Sequence, residues 1–442
     1  MADDILQRVY RAFDPLAPLA ANDTERYVDL DTVRGSTGFT KRLAKPILNL
    51  DSPTCQVVTG HRGSGKSTEL RRLQCYLEES PKKLFVVYCE ADADIDRNDV
   101  DFPEILIALI RQMADQLRKR AGIVLKPGYF KDRFEQLKGL FGSTVSLEEF
   151  EVDTGLLKVS GAIKNSPDAR KKVRAALEPD TSNLLHAAND LIGQAKIELG
   201  RKGYGGLAVI VDDLDKMVLR PCEKAACSTC EYLYIHREAQ LQGFECHVVY
   251  TMPIACAYSS MAAKIESLYG RVPPVVPMTK ITTRPPTAKP YEPGIVAFRE
   301  IIDRRLAAIG VDPSQVFADN SVRDAIIGLS GGQPLVLMAL VREGLMTMPI
   351  TREAVDRAEA EDRRAYARIL FSEHWPVIQK VRESGSLPRD KKHEEAIREL
   401  LDSRAILQYV NSEEWYGVNP FIAEPHKTAA SSNPKPKGKR KK

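Results

Sequence analysis

The twelve residues TGHRGSGKSTEL, 59 to 70, constrain this chain more than any other feature. They follow a short apolar run, CQVVTG, and lead into Leu70, Leu73 and Leu77 at helical spacing, so the stretch reads strand, glycine-rich turn, helix. Gly60 to Ser67 fits G-x-x-x-x-G-K-[ST], a pattern whose mechanics require that context. Glycines let backbone N–H groups turn inward around anionic oxygens, and the helix N-terminus adds partial positive charge. The expected cradle is Gly60, His61, Arg62, Gly63, Ser64, Gly65, Lys66, Ser67 and Thr68, with Lys66 on the β and γ phosphates of a nucleotide and Ser67 on Mg2+.

A phosphate loop needs a carboxylate to hold its magnesium, and an apolar strand ending in acid supplies one. LAVIVDDLDKM places Asp212 at such a strand end. Asp213 follows, either as the base that polarises an attacking water or as a helix N-cap or ion-pair partner; Asp215 reads as a solvated or lid-contacting acid. The later strand CHVVYT ends in Thr251, either a polar sensor of the γ-phosphate or a strand-end residue capping its own backbone. No guanine-reading N-K-x-D-like motif occurs, which favours ATP.

Further apolar β-rich runs recur at 84–90, 206–213, 246–252 and 273–278, each without alternation, as strands buried on both faces of a parallel sheet should be. Between them Ile105, Leu109, Met113 and Leu117, and then Leu184, Ala188, Leu191 and Ala195, repeat at helical spacing. The fold class expected is α/β: a three-layer P-loop parallel sheet, then a helical lid and a C-terminal winged-helix-like domain. Residues 1–50 form a lead-in and 51–282 the core, interrupted near 121–175 by an insertion that reads as a β-hairpin around Asp153-Thr154-Gly155. Helices are expected at 295–309, 321–329, 334–347, 352–369 and 373–383, with the lid at 295–350. Residues 351–424 complete the winged-helix-like part with a helix and two strands.

The tail from 427 to 442 holds seven Lys or Arg and no acid; with it set aside the net charge of +4 turns to −3. Such a tail reads as solvated chain or as a weak attractor of polyanions, and 425–442 is expected to be disordered. No apolar run approaches the roughly 18 residues of a membrane span, and the N-terminus lacks signal-peptide character, which points to the cytoplasm and away from membrane partners. Eight scattered cysteines fit buried thiols. Cys222, Cys227 and Cys230, with His236 or His247, either bind zinc or form a loop of reduced thiols.

In this order the glycine loop, VIVDDLD, the Thr-ended strand, SGGQP at 330–334 and LQYVNSEEWYGVNP resemble the STAND-type ATPases and their archaeal-ATPase and AAA+ relatives. The resemblance covers residues 30 to about 422. It implies ATP and Mg2+ as cofactors, ATP hydrolysis, and a lid that places Gly332 and Pro334 near the adenine. It also implies a homo-oligomer in the ATP state and a signalling role in bacterial stress or antiphage defence, with a protein effector or sensor. An arginine from a neighbouring subunit often completes such sites; Arg271, Arg304 and Arg305 are candidates, or else surface charges. The alternative is a DNA-acting initiator or loader ATPase that grips nucleic acid through its winged helix and basic tail.

Overall fold

Valine crowds the runs that become strands, and burial on both faces makes the sheet the middle of the molecule. The computed structural model describes residues 2–35, 38–126, 152–178, 181–410 and 413–422. Strands β1 (Cys55–Thr59), β2 (Phe85–Glu90), β3 (Leu207–Asp212) and β4 (His247–Met252) pair in parallel, in the order β1-β4-β3-β2. One face, with Val58, Val86, Tyr88, Ile210 and Val249, packs against helices α2 (Phe39–Asn49) and α3 (Lys66–Glu78). The opposite face, with Val57, Val87, Val209, Val211 and Tyr250, is covered by α4 (Phe102–Ala121), α7 (Thr181–Arg201) and α8 (Ala262–Tyr269). Three layers result, as expected.

Two sequence expectations fail here. Residues 273–278 form no strand: only Val275 bridges Thr59, with Val276 N–H donating to the Thr59 carbonyl at 2.8 Å. Pro273, Pro274 and Pro277 lack the N–H groups a ladder needs. The segment instead runs from the sheet edge to the C-terminal domain, where Met278 N–H donates to the Gln408 carbonyl at 3.0 Å. Nor do the described residues of the insertion form a hairpin; 127–151 lie outside them. Asp153-Thr154-Gly155 lies within helix α5 (Val152–Asn165), followed by α6 (Pro167–Leu177) behind a Ser166 N-cap. Val159 and Ile163, four apart, are buried while Leu157 is exposed, so the apolar period is helical.

The lead-in divides between two partners. Helix α1 (Ala2–Ala12) joins the lid, where Val9 and Phe13 share a core with Phe298, Ile302 and Ile326, whereas α2 backs the sheet. The lid helices α9 (Glu292–Ala307), α10 (Asn320–Leu329) and α11 (Pro334–Gly344), then α12 (Arg352–Ile369), lie within a few residues of their expected positions. Helices α13 (Trp375–Ser384) and α14 (Glu394–Asp402) precede the antiparallel hairpin β5 (Ile406–Val410) and β6 (Glu414–Val418), the winged-helix-like arrangement. Its core unites Val377, Ile378, Leu400, Leu401 and Ile406. The basic tail and the hairpin turn at 411–412 lie outside the described residues. Among those residues no helix is long and apolar enough to cross a membrane.

Candidate nucleotide site

Backbone geometry makes the loop a cradle. Gly63 and Gly65 hold φ of +81° and +96°, in the left-handed region that glycine adopts at little cost. A side chain at Gly63 would meet Leu335 of the lid at 2.7 Å, and one at Gly65 would meet Arg34 at 2.9 Å. Arg34 is buried beneath the loop, donating to the Ser64 carbonyl and pairing with Glu69 at 2.8 Å, so the lead-in braces the cradle from behind.

In front lies a cavity of about 490 Å³. Arg62, Gly63, Gly65, Lys66, Ser67 and Thr68 line it, facing Asp212, Asp213 and Asp215. Lys66 Nζ donates to the Gly60 and His61 carbonyls at 2.7 and 3.0 Å and pairs with Asp215 Oδ2 at 2.9 Å. Asp215 is therefore not the solvated acid expected: it is buried and holds the loop lysine.

Asp212 accepts from Tyr88 Oη at 2.6 Å and from Asp213 N–H at 2.8 Å. Burial and the Asp215 charge raise its pKa, against the lowering influence of the Tyr88 and Ser67 hydroxyls. A carboxylate and a hydroxyl from two separate elements thus face each other beside the lysine, an oxygen set that suits Mg2+. Asp212, Asp213 and Asp215 present their carboxylates within 4.8 Å of one another. Like charges held this close in a buried site favour a divalent cation, and the glycine cradle fits the phosphates such a cation accompanies.

Asp213 sits at φ +71° and is ion-paired with Lys216 at 2.6 Å. Burial and the Asp212 charge push its carboxyl up to about 6, close to the working range of a general base. Both readings of this residue therefore find a feature here. Thr251 is fully buried and absent from the cavity wall; its Oγ1 accepts from Leu214 N–H at 3.0 Å and donates toward the Val211 carbonyl. Its hydroxyl caps the loop after β3 rather than its own backbone.

Three other cradle positions also turn away from the cavity. Gly60 packs on the Val276 carbonyl, where a Cβ would sit 2.6 Å away, and Ser64 Oγ is buried without a hydrogen-bond partner. His61 is fully buried: Nδ1 lies 3.1 Å from the Leu401 carbonyl, and Nε2 accepts from Gln408 N–H at 2.9 Å. The two bonds assign the proton to Nδ1. Burial pushes its pKa down to about 3, so the ring is neutral. A residue expected on phosphate instead ties the loop to the winged-helix-like domain.

In the lid, Pro334, Leu335 and Met338 line the cavity. Gly332 does not. It packs on Thr279, whose carbonyl would lie 1.7 Å from any Cβ there, so glycine is demanded by close backbone approach and not by adenine. Of the expected arginines, Arg305 lines the cavity and donates to the Ala12 carbonyl at 2.7 Å. Arg271 is held by Gln56 and Arg304 by the Tyr27 carbonyl, both outside the cavity wall. Neither reading of Cys222, Cys227 and Cys230 holds for all three: Cys222 and Cys227 are free thiols, but Cys230 is not. Cys230 is bonded to Cys256, His247 faces Thr54, and no Cys or His cluster occurs among the described residues.

Several lining residues carried no sequence signal: the segment Asp14–Leu19, Tyr88, Glu90, Arg97, Lys216 and Arg404. Tyr88 and Glu90 were the most accessible to reasoning, because they end the strand beside β3, and ligands of open parallel sheets gather at carboxyl ends of strands.

No protein-family model and no curated protein matches the sequence. Among solved structures, a Walker-type ATPase of Pyrococcus abyssi is 14% identical, with 92% of this chain and 97% of that chain covered at a TM-score of 0.42. The Orc2 protein of Aeropyrum pernix, solved in ADPNP and ADP complexes, is 13% identical over 93% and 94% of the two chains, with a TM-score of 0.43. The Orc1 protein of Aeropyrum pernix, solved in complex with DNA, gives 14% identity over 90% and 92%, and 0.38. The overlap is long, but at these scores the role of each residue here rests on the geometry above.

Proposed function

We propose that this chain is an AAA+-like P-loop ATPase that binds Mg·ATP between its sheet and its lid and hydrolyses it to switch the seating of its winged-helix-like domain. The observation that carries the reading is the meeting of Asp212, Ser67 and Lys66 at one end of the cavity. Lys66 and the loop N–H groups hold phosphate, Ser67 and Asp212 hold Mg2+, and Asp213 takes a proton from the attacking water. Bound Mg2+ supplies charge neutralisation on the phosphates. Pro334, Leu335 and Met338, with Pro15 and Leu16 on the wall of the same cavity, offer an apolar surface for a base.

The output has two candidate forms. A DNA-acting initiator-type role is supported by the winged-helix-like topology and by the basic tail. Signalling in stress or defence, through a homo-oligomer and a separate effector, is carried by the motif resemblance alone. Helix α14, in the place of a recognition helix, bears Glu394, Glu395, Glu399 and Asp402 and packs toward the ATPase core, with Glu394 accepting from Ser260 N–H at 2.7 Å. DNA contact through that helix therefore requires its release. ATP turnover with mass-resolved oligomeric state, measured for the native chain, Lys66→Ala and Asp213→Asn, tests the ATPase reading. Lys66→Ala loses nucleotide binding, and Asp213→Asn keeps binding but loses turnover; normal turnover in Asp213→Asn removes it as base. Salt-dependent DNA binding that survives deletion of 427–442 selects the initiator role.

A further inference from the structure

Two short segments of the ATPase core help to seat the winged-helix-like domain, and one covalent bond joins them. The turn Ile254–Ala257 after β4 lends Ile254 to that domain's core. Just beyond it, Tyr258 meets Tyr416 with ring centroids 6.0 Å apart and accepts from Gln408 Nε2, and Ser260 N–H donates to Glu394 of α14 at 2.7 Å. The other segment, Thr229–Glu231, places the Glu231 carboxylate 4.0 Å from Arg398 of the same helix. The Cys230–Cys256 disulfide links the two segments, and both of its cysteines are fully buried.

A soluble thiol has no direct access to sulfurs so enclosed, yet a third cysteine stands three residues from one end of the bond. Cys227 is a free thiol, half-buried, and with Cys230 it completes a C-x-x-C, a spacing at which thiols exchange disulfides. Its loop is held in place: Cys222 N–H donates to the Cys227 carbonyl at 2.8 Å, Pro221 bridges Ser228, and Ser228 Oγ accepts from Glu231 N–H at 3.3 Å. Burial, then Cys222 and Glu231, raise the Cys227 thiol above its ordinary value against the pull of Lys264. It therefore rests protonated at neutral pH, which keeps the exchange slow.

We propose that Cys227 and Cys230 form a thiol–disulfide exchange site that controls how firmly the winged-helix-like domain is seated. Cys227, as thiolate, attacks Cys230 Sγ. The Cys227–Cys230 bond forms, the Cys230–Cys256 bond breaks, and the electron pair leaves on Cys256 Sγ, which takes up the proton that Cys227 gave up. That step involves no net oxidation. A soluble dithiol then reduces the new bond at the more exposed Cys227 and is itself oxidised to a disulfide, its two protons passing to the cysteine thiols. With Cys256 released, the segment of Ile254 and Ser260 is no longer tied to that of Glu231, and α14 rests on two pieces that move separately.

The proposal needs no nucleotide, so it stands or falls apart from the reading above. The full chain, native and Cys227→Ser, is held with dithiothreitol under native conditions, quenched with iodoacetamide at intervals and mapped by mass spectrometry. Amide exchange is followed alongside at Ser260 and Gln408, whose N–H groups reach Glu394 and His61 across the domain boundary. In the native chain Cys256 should become alkylated, and both amides should then exchange about tenfold faster or more. Cys227→Ser should keep the Cys230–Cys256 bond at least about tenfold longer. Cys256→Ser should show the fast amides without reductant, and the reductant arm, run on the native sequence, gives the same reading if that variant does not fold. Equal reduction rates in the native chain and Cys227→Ser overturn the exchange step. Amide exchange that reduction leaves unchanged overturns the control of seating, and an oxidised native chain without the Cys230–Cys256 bond overturns both.

Discussion

The two faces of the phosphate loop are built on different principles. Toward the cavity, Gly63, Gly65, Lys66 and Ser67 present glycine conformations, a cation and a hydroxyl, a set that any strand–turn–helix of this pattern would bring together. Toward the winged-helix-like domain, His61 presents one imidazole to two backbone groups some 340 residues further along the chain. The front needs only local sequence; the back needs a second domain already folded in register. One loop thereby faces both the cavity and a neighbouring domain.

The largest effects should come from emptying the two cores that hold these faces. Leu70→Ala, behind the loop, and Leu400→Ala, in the C-terminal domain, each remove a fully buried side chain and should cost about 2–5 kcal/mol. Denaturant unfolding followed by tryptophan emission, which reports the C-terminal domain, and by far-UV circular dichroism, which reports the whole chain, should show Leu400→Ala melting the C-terminal domain ahead of the rest, with nucleotide binding retained. Leu70→Ala should lose binding and fold together. A single shared transition in both variants would show that the two regions are one cooperative unit.

Removing the bridge should cost less. His61→Ala leaves the Leu401 carbonyl and the Gln408 N–H buried without their partner, a loss of about 1–3 kcal/mol. Hydrogen exchange at Gln408 should quicken while affinity for nucleotide persists. If both Gln408 exchange and DNA binding are unaltered, the domain is held by other contacts.

The bridge should also respond to acid. The His61 pKa stands near 3 in the folded chain against an ordinary 6.5, so the unfolded or undocked state binds the extra proton between those values. Docking is then fully stable above pH 6.5 and weakens as pH falls toward 3, by at most about 1.4 kcal/mol per unit. His61→Asn should flatten that slope in a pH series of melting temperatures. The smallest change belongs to the surface of α12: Arg352→Ala breaks an exposed pair with Asp356 and should shift stability by less than about 1 kcal/mol.

Much of the site was legible because its chemistry repeats a local pattern. Gly63, Gly65, Lys66, Ser67 and Asp212 were expected where they stand, and the helices after residue 290 were placed within a few residues. The insertion and the segment 273–278 were not, since a short apolar run fits either period and prolines bar a strand that composition alone suggests. Gly332 was read as a ligand contact, yet the Thr279 backbone behind it is what requires glycine.

By itself the sequence determined a glycine-rich turn between a strand and a helix, an acid at a strand end, a parallel sheet and a helical lid, because each follows from spacing within some dozen residues. Only the tertiary structure decided that Asp215 holds the lysine, that Thr251 caps a loop, that His61 faces another domain and that Arg404 reaches the cavity. These depend on which strand ends lie side by side and on where a distant domain settles, and neither is encoded in the periodicity of any one segment.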